Sequence, residues 1–446
     1  MAVTSDDTRD RGKPSSWSGA VDQVTAGTDD QDKRLMIISA GNSHIENWKN
    51  YPNAQLTDSI HDPAQSWNAL TVGAYTRLEA ISDETFRGYT PIAQANQLSP
   101  FSTTSLTWDD KWPIKPEIVM EGGNIAVDVG GFPTECADLS LLTTHYKPQE
   151  QLFDNINQTS AATSLAAHFA AQVQILYPDY WPETIRALMV HSAEWPEALK
   201  RQFTRDDSKS ELKKLLRICG YGVPNIERAL YSASNSLTLI AQVEIQPFEL
   251  QGNEAKTKDM HFYKLPWPTE VLLDMKDAPV QMRITLSYFV EPGPGEIGWK
   301  DRYRYASFAL RFDINSPGES AEEFKKRINK AARDEDEGLP KTSSASSHRL
   351  IGQARDKGSI HSDIWKGTAA ELASSNFIAV SPRIGWWRER KHLGKCDSQA
   401  RYTLIVSITT PVQEVDIYTP VAQQVGIGVP VQIVGTSIRN KKTRHG

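Results

Sequence analysis

A serine attacks a carbonyl only where a base can take its proton and where hydrogen-bond donors already wait for the oxyanion. Asn157-Gln158-Thr159-Ser160-Ala161-Ala162-Thr163 is the stretch of this chain that offers such a place. Ala161, Ala162, Leu165, Ala166, Phe169, Ala170, Val173 and Leu176 recur at the spacing of one helix face, and Pro178 ends the run. Ser160 therefore stands at the start of an apolar helix, where unpaired backbone N–H groups and the helix dipole favour developing negative charge. Thr159 or Ser160 equally suits a plain N-cap, the commonest role of such residues ahead of a helix. This segment alone leaves both roles open.

The elements that must hold the serine lie upstream. Arg34 to Asn42 is a short apolar run closing on Ser39-Ala40-Gly41-Asn42, the pattern of a buried parallel strand that leads into a functional loop, with Asn42 at its C-terminal end. Trp67 to Ala74 and Lys115 to Gly123 repeat that pattern before the serine helix.

Taken in order, Ser39-Ala40-Gly41-Asn42, Asn68 to Ala74, Ser99-Pro100-Phe101-Ser102, Lys115-Pro116-Glu117-Ile118-Val119 and Thr159-Ser160-Ala161-Ala162 resemble the subtilisin-like serine proteases. Trp181 to Met189 is similar to the family's next helix, and Gly220-Tyr221-Gly222-Val223-Pro224-Asn225 to its closing turn. The resemblance implies an α/β fold over residues 1–236, a parallel sheet flanked by helices and N-terminally incomplete. It implies a serine-type endopeptidase acting on a polypeptide, with Ser160 the acyl-forming nucleophile and Asn42 the side-chain donor of the oxyanion hole. Ala2, Val3 and Thr4, read as a strand, would then form one wall of the substrate groove. Gln158 departs from the family, which has glycine before Thr-Ser, and so bears on the backbone half of the oxyanion hole.

The family's triad runs Asp, His, Ser, and its first two members belong well ahead of Asn42. Residues 1–41 carry Asp6, Asp7, Asp10, Asp22, Asp29, Asp30 and Asp32 but no histidine, and neither Asp-Thr-Gly nor His-Gly-Thr occurs in the chain. His168 shares the helix with Ser160 but sits about 12 Å further along its axis, beyond hydrogen-bond reach. His44, His61, His145 and His191 read as solvated or structural. The expectation is a chain that begins mid-domain and is inactive or incomplete as written, its aspartate and histidine supplied by an upstream fragment or a partner protein. The alternative is a non-catalytic peptide-binding or regulatory protein on the same scaffold.

The 446 residues suffice for two or three cores, and 39% hydrophobic with 23% charged residues is ordinary for a globular protein. A net charge of −6 gives no reason to expect nucleic acid, and no segment reaches membrane-spanning length. Cys136, Cys219 and Cys396 are too few and too scattered for a disulfide framework or a zinc ribbon, which points to a cytoplasmic setting. Neither a cofactor nor a metal is expected.

From residue 237 the period changes. Leu237 to Ile245, Met282 to Tyr288, Ala306 to Ile314 and Tyr402 to Ile408 alternate apolar with polar positions, the mark of half-buried strands. An antiparallel β-sandwich or jelly-roll-like domain over 237–446 is expected, with a charged helix at Ala321 to Glu337 and a flexible loop at Thr342 to Ser347, both within about 317–350. Gly293-Pro294-Gly295-Glu296-Ile297-Gly298 has dinucleotide-loop spacing, but a strand rather than a helix follows, so a hairpin turn is expected. Trp386-Trp387 reads as core packing rather than a ligand face.

Overall fold

The computed structural model describes residues 1–6, 8, 10–231, 236–294, 304–336, 348–352, 356–410, 431–432 and 436–439. It is a mixed α/β protein of two compact units, Met1–Leu230 and Tyr231–Gly446.

In the first unit helix α1 (Ser16–Ala26) precedes strand β1 (Ile37–Ser39). Its start is fixed by Ser15 and Ser18, whose side chains cap each other's backbone N–H. Strand β2 (Leu70–Thr76) is buried along its whole length, as a strand covered on both faces must be. β1 pairs with it in parallel through Ile37–Leu70, Ile38–Thr71 and Ser39–Val72. Gln97–Leu98 (β3) runs antiparallel to its end, and Ile118–Glu121 (β4) joins it in parallel. Helix α2 (Gln158–Leu176) lies against β1, β2 and β4, and helix α3 (Pro182–Ser192) packs on α2. Ala161, Ala162 and Ala166 are the buried small residues that let α2 approach the sheet closely.

The strands are cross-tied by charges with almost no water contact. Lys115 is fully buried and Glu117 is 2% exposed. Lys115 Nζ donates to Glu117 Oε1 at 2.5 Å and to the Ala69 carbonyl at 2.8 Å, while Glu117 Oε2 accepts from the Thr71 N–H at 2.7 Å. Burial pulls the Lys115 pKa down and pushes the Glu117 pKa up, each opposed by the other's charge. Nearby, Asp22 of α1 accepts from Ser66 Oγ and from the N–H groups of Trp67 and Asn68 at 2.6–2.9 Å. Arg186 of α3 donates to the Asn68 carbonyl at 2.6 Å. The turn at Gly220 closes the far edge. Its φ is +58°, and a Cβ there would fall 2.2 Å from the Glu117 carbonyl oxygen, so only glycine lets Tyr221 donate its N–H to that oxygen.

Among the described residues the second unit contains two larger sheets and a two-stranded antiparallel hairpin, Phe248–Gln251 with Glu254–Thr257. In the first, β5 (Ser236–Ile245), β7 (Pro279–Tyr288), β9 (Ile360–Thr368) and β11 (Ala400–Thr409) run antiparallel in the order β9-β7-β11-β5, with Val431–Gln432 added in parallel to β5. In the second, β6 (Asp259–Lys264), β8 (Ala309–Ile314) and β10 (Phe377–Arg383) lie in the order β8-β10-β6, with Thr436–Arg439 on the outer edge of β6. Helix α4 (Ala321–Asp336) packs its Phe324 and Ile328 against Met260 and Phe262. The expected alternating strands and the charged helix are thus present, apart from Ala306 and Phe308, which precede β8, Ala306 in an isolated bridge to Pro292; Glu337 lies outside the described residues. β6, β9 and β10 were not expected from the sequence.

Buried polar groups link the two sheets. Tyr402 Oη is 2.6 Å from His261 Nδ1 and also meets the Tyr263 hydroxyl, and Tyr288 Oη is 3.0 Å from His361 Nε2 and 3.3 Å from the Leu310 carbonyl. Gly293 donates its N–H to the Tyr305 carbonyl at 2.7 Å, beside the antiparallel bridge of Pro292 to Ala306; residues 295–303, which hold most of the glycine-rich segment, and the loop at 342–347 lie outside the described residues. Trp386 and Trp387 are 4% and 5% exposed, and both indole N–H groups donate to Glu291, which makes them internal packing. Among the described residues no helix is long and apolar enough to cross a membrane.

Two outcomes follow from these buried charges. Lys115→Met strands the Glu117 carboxylate and is expected to lower unfolding free energy by about 3–5 kcal/mol in urea titration, while Lys115→Met with Glu117→Leu recovers most of it. Burial holds the His261 pKa below its ordinary value of 6.5. The native state therefore binds fewer protons than the unfolded chain, and stability falls as pH drops below about 6.5 until the lowered pKa is passed. Thermal melts across that range should show a flatter slope for His261→Gln.

Candidate active site

Strand β1 ends in a bend that only glycine permits. Gly41 has φ +90°, and a Cβ there would lie 2.2 Å from Cγ of His61. The next residue, Asn42, leaves the sheet edge through a bridge to Ser102 and turns its side chain to the start of α2. Its Oδ1 accepts from the Thr159 N–H at 3.0 Å and from Thr159 Oγ1 at 2.8 Å, and that hydroxyl also lies 3.1 Å from the Gly41 carbonyl. Because a backbone N–H only donates, this contact fixes which end of the Asn42 amide is oxygen. Nδ2 must then point the other way, where it donates to Gln158 Oε1 at 3.0 Å.

This settles the capping question left open by the sequence. Asn157 is the N-cap of α2, and its side chain makes no capping bond; Thr159 and Ser160 are the second and third helical residues. The cap arrives from a distant part of the chain, since Asn42 Oδ1 satisfies one of the first-turn N–H groups that no helix can pair internally. Gln158 has φ +72°, the left-handed conformation that glycine adopts freely and other residues rarely do. Its own N–H donates to the Gly122 carbonyl just beyond β4, at 2.7 Å. Gln158 therefore holds a backbone conformation that suits glycine, and its side chain reaches Asn42. The departure at 158 was visible in the sequence, but the contact was not.

Ser160 is half-buried, and its Oγ is hydrogen-bonded to none of the described residues. No described histidine is therefore hydrogen-bonded to it. His168 is exposed on α2, His191 is buried in α3, and His145 Nδ1 accepts from the Lys147 N–H at 3.2 Å. His61 is 6% exposed, its Nδ1 3.4 Å from Asp6 Oδ1 and its ring 6.4 Å from that of His44. Burial lowers its pKa against the pull of Asp6.

The expected strand at Ala2, Val3 and Thr4 does not form; a run this short pairs only at its ends. Ser39 donates its N–H to the Met1 carbonyl at 3.1 Å and Ser5 donates to the Asp62 carbonyl at 2.8 Å, leaving an extended, largely exposed span between the end of β1 and the His61 loop.

A parallel sheet whose central strand is wholly buried, backed by a helix that carries a serine in its first turn, makes the first unit an α/β domain. Residues 1–222, just under half of the chain, match the sequence profile of peptidase S8, the subtilase family. The chain is 26% identical over 299 residues to an uncharacterised protein, y4bN, of Sinorhizobium fredii, a match covering 63% of this chain and 63% of that protein, so it spans less than two-thirds of that relative. Solved structures similar to it include a protease from Pseudoalteromonas arctica (14% identity, 49% of this chain and 47% of that one, TM-score 0.30) and MycP1 from Mycobacterium smegmatis (18%, 45% and 42%, TM-score 0.23). A third is an epidermin leader peptide processing serine protease from Staphylococcus aureus (15%, 48% and 44%, TM-score 0.27).

Asn42→Ala removes the cap and leaves the Thr159 N–H without its acceptor. A loss of about 1–2 kcal/mol is expected in urea titration, with Asn42→Asp, which keeps an acceptor for Thr159, losing less.

Proposed function

We propose that the first unit is a subtilase-type serine endopeptidase domain in which Ser160 is the nucleophile and Asn42 the side-chain oxyanion donor. The reading is carried by the Thr159 bridge. One residue before Ser160, Thr159 bonds Asn42 through both its N–H and its hydroxyl, so attack point and donor are held by a single element. The polypeptide substrate would lie along the exposed span of Ala2, Val3 and Thr4. The aspartate and histidine would come from a polypeptide segment outside these residues or from a partner protein. The second unit, with its two facing sheets, is read as a β-sandwich domain.

In this reaction the supplied imidazole takes the Ser160 proton as Oγ bonds to the peptide carbonyl carbon. The carbonyl oxygen becomes an oxyanion, met by Asn42 Nδ2 and by first-turn N–H groups of α2, whose dipole adds to the field. Collapse expels the amine, which leaves with the proton from the imidazole, and water then cleaves the acyl ester. Preorganisation by Thr159 matters because donors fixed in advance need no rearrangement as charge develops.

A second reading, a peptide-binding or regulatory protein on the same scaffold, is favoured by one observation: the Asn42 amide already has an internal acceptor in Gln158. A fluorophosphonate probe applied to the intact cellular product separates the two. The enzyme reading expects labelling at Ser160 that is lost in Ser160→Ala. Absence of label on that product removes the enzyme and leaves the binding protein.

A further inference from the structure

The Asn42 amide has one end spoken for twice. Oδ1 is held by the Thr159 N–H and hydroxyl, and that pair of bonds already fixes the rotation of the amide plane. Gln158 therefore adds nothing that orientation requires. What it does add is an acceptor, a neutral amide oxygen 3.0 Å from Nδ2, chemically the same group as the peptide carbonyl a substrate would present.

The backbone of Gln158 points the same way. A residue with a Cβ at φ +72° is disfavoured relative to glycine, and such conformations persist where the surroundings enforce them. The bond from the Gln158 N–H to the Gly122 carbonyl pins the backbone there. The side chain, by contrast, has three rotatable bonds, so Oε1 can leave Nδ2 while the backbone and the helix start stay where they are.

We propose that Gln158 is a built-in occupant of the oxyanion site, a side-chain gate that gives Asn42 Nδ2 an internal carbonyl until a substrate carbonyl displaces it. This rests on the reading of Ser160 and Asn42 as nucleophile and donor. The gate does not block attack outright. It makes every substrate compete with a tethered acceptor for one hydrogen bond, a contest about tenfold in size for a net bond of ordinary strength. Once Oε1 swings away, the donor is free and already oriented by Thr159.

Two measurements on the full chain test the gate. Selective 15N labelling of asparagine, with Asn42→Asp to assign the signal, reports the Asn42 side-chain amide directly. Gln158→Met, which keeps length and removes the acceptor, is expected to move that signal to the position of a solvated amide; an unmoved signal overturns the proposal whatever the chemistry. The second measurement is the rate at which a fluorophosphonate probe labels Ser160 in the intact cellular product. Gln158→Gly and Gln158→Met are expected to label about ten times faster than the parent, with melting temperature near that of the parent for Gln158→Gly because relief of the left-handed φ offsets the lost bond. Equal or slower labelling in both variants overturns the gate and assigns Gln158 to holding Asn42 in place. If no variant labels while the amide signal does move, the nucleophile reading fails and the gate with it, and the Gln158 contact stands as a structural bond only.

Discussion

The first unit depends on an ammonium and a carboxylate that water does not reach. Lys115 and Glu117 sit at the head of β4, and each also holds the backbone of its neighbour strand: Lys115 the Ala69 carbonyl, Glu117 the Thr71 N–H. Buried charge is tolerated only when paired and hydrogen-bonded, so β2 and β4 can meet in one register alone. That register carries forward. Four residues after Glu117 the strand ends, and the Gly122 carbonyl beyond it accepts the Gln158 N–H that starts the serine helix. The position of Ser160 relative to Asn42 is thus set partly by an ion pair that neither residue touches.

In the second unit uncharged polar groups meet a similar problem. Its facing strands bring Tyr263, Tyr288 and Tyr402 together with His261 and His361, all nearly inaccessible to water. Hydroxyls and imidazoles that find partners across two sheets restrict how the sheets slide past one another, since a shift leaves donors unpaired in a dry interior. An interior of leucine and valine alone would exert less directional control.

Much of this was legible in the chain. β5, β7 and β11 showed themselves because one face of each is polar, and α2 because small apolar residues recur along one side. β9 hid because His361, Ser362 and Asp363 are buried, which breaks the apolar-in, polar-out pattern that betrays a strand. β10 carries Pro382, which argues against a strand on sequence grounds, and β6 has His261 in its core face. At the site, the types of Ser160 and Asn42 were readable through a family resemblance, as was the oddity of Gln158. The bonds of Asn42 to Thr159 and to Gln158 were not, because nothing local marks two residues over a hundred positions apart as partners.

That separation has a consequence for how the chain reaches its folded form. Asn42 and Thr159 are 117 positions apart, and Asn42 and Gln158 are 116. Closing so long a segment is entropically unfavourable until β1, β2 and β4 are already assembled to receive the helix. The serine and its asparagine are therefore held together only where the sheet is in place to receive the helix, and a chain without that sheet holds neither an oriented donor nor a capped helix. The geometry of this corner is thus a property of the assembled sheet and helix together, and neither segment carries it alone.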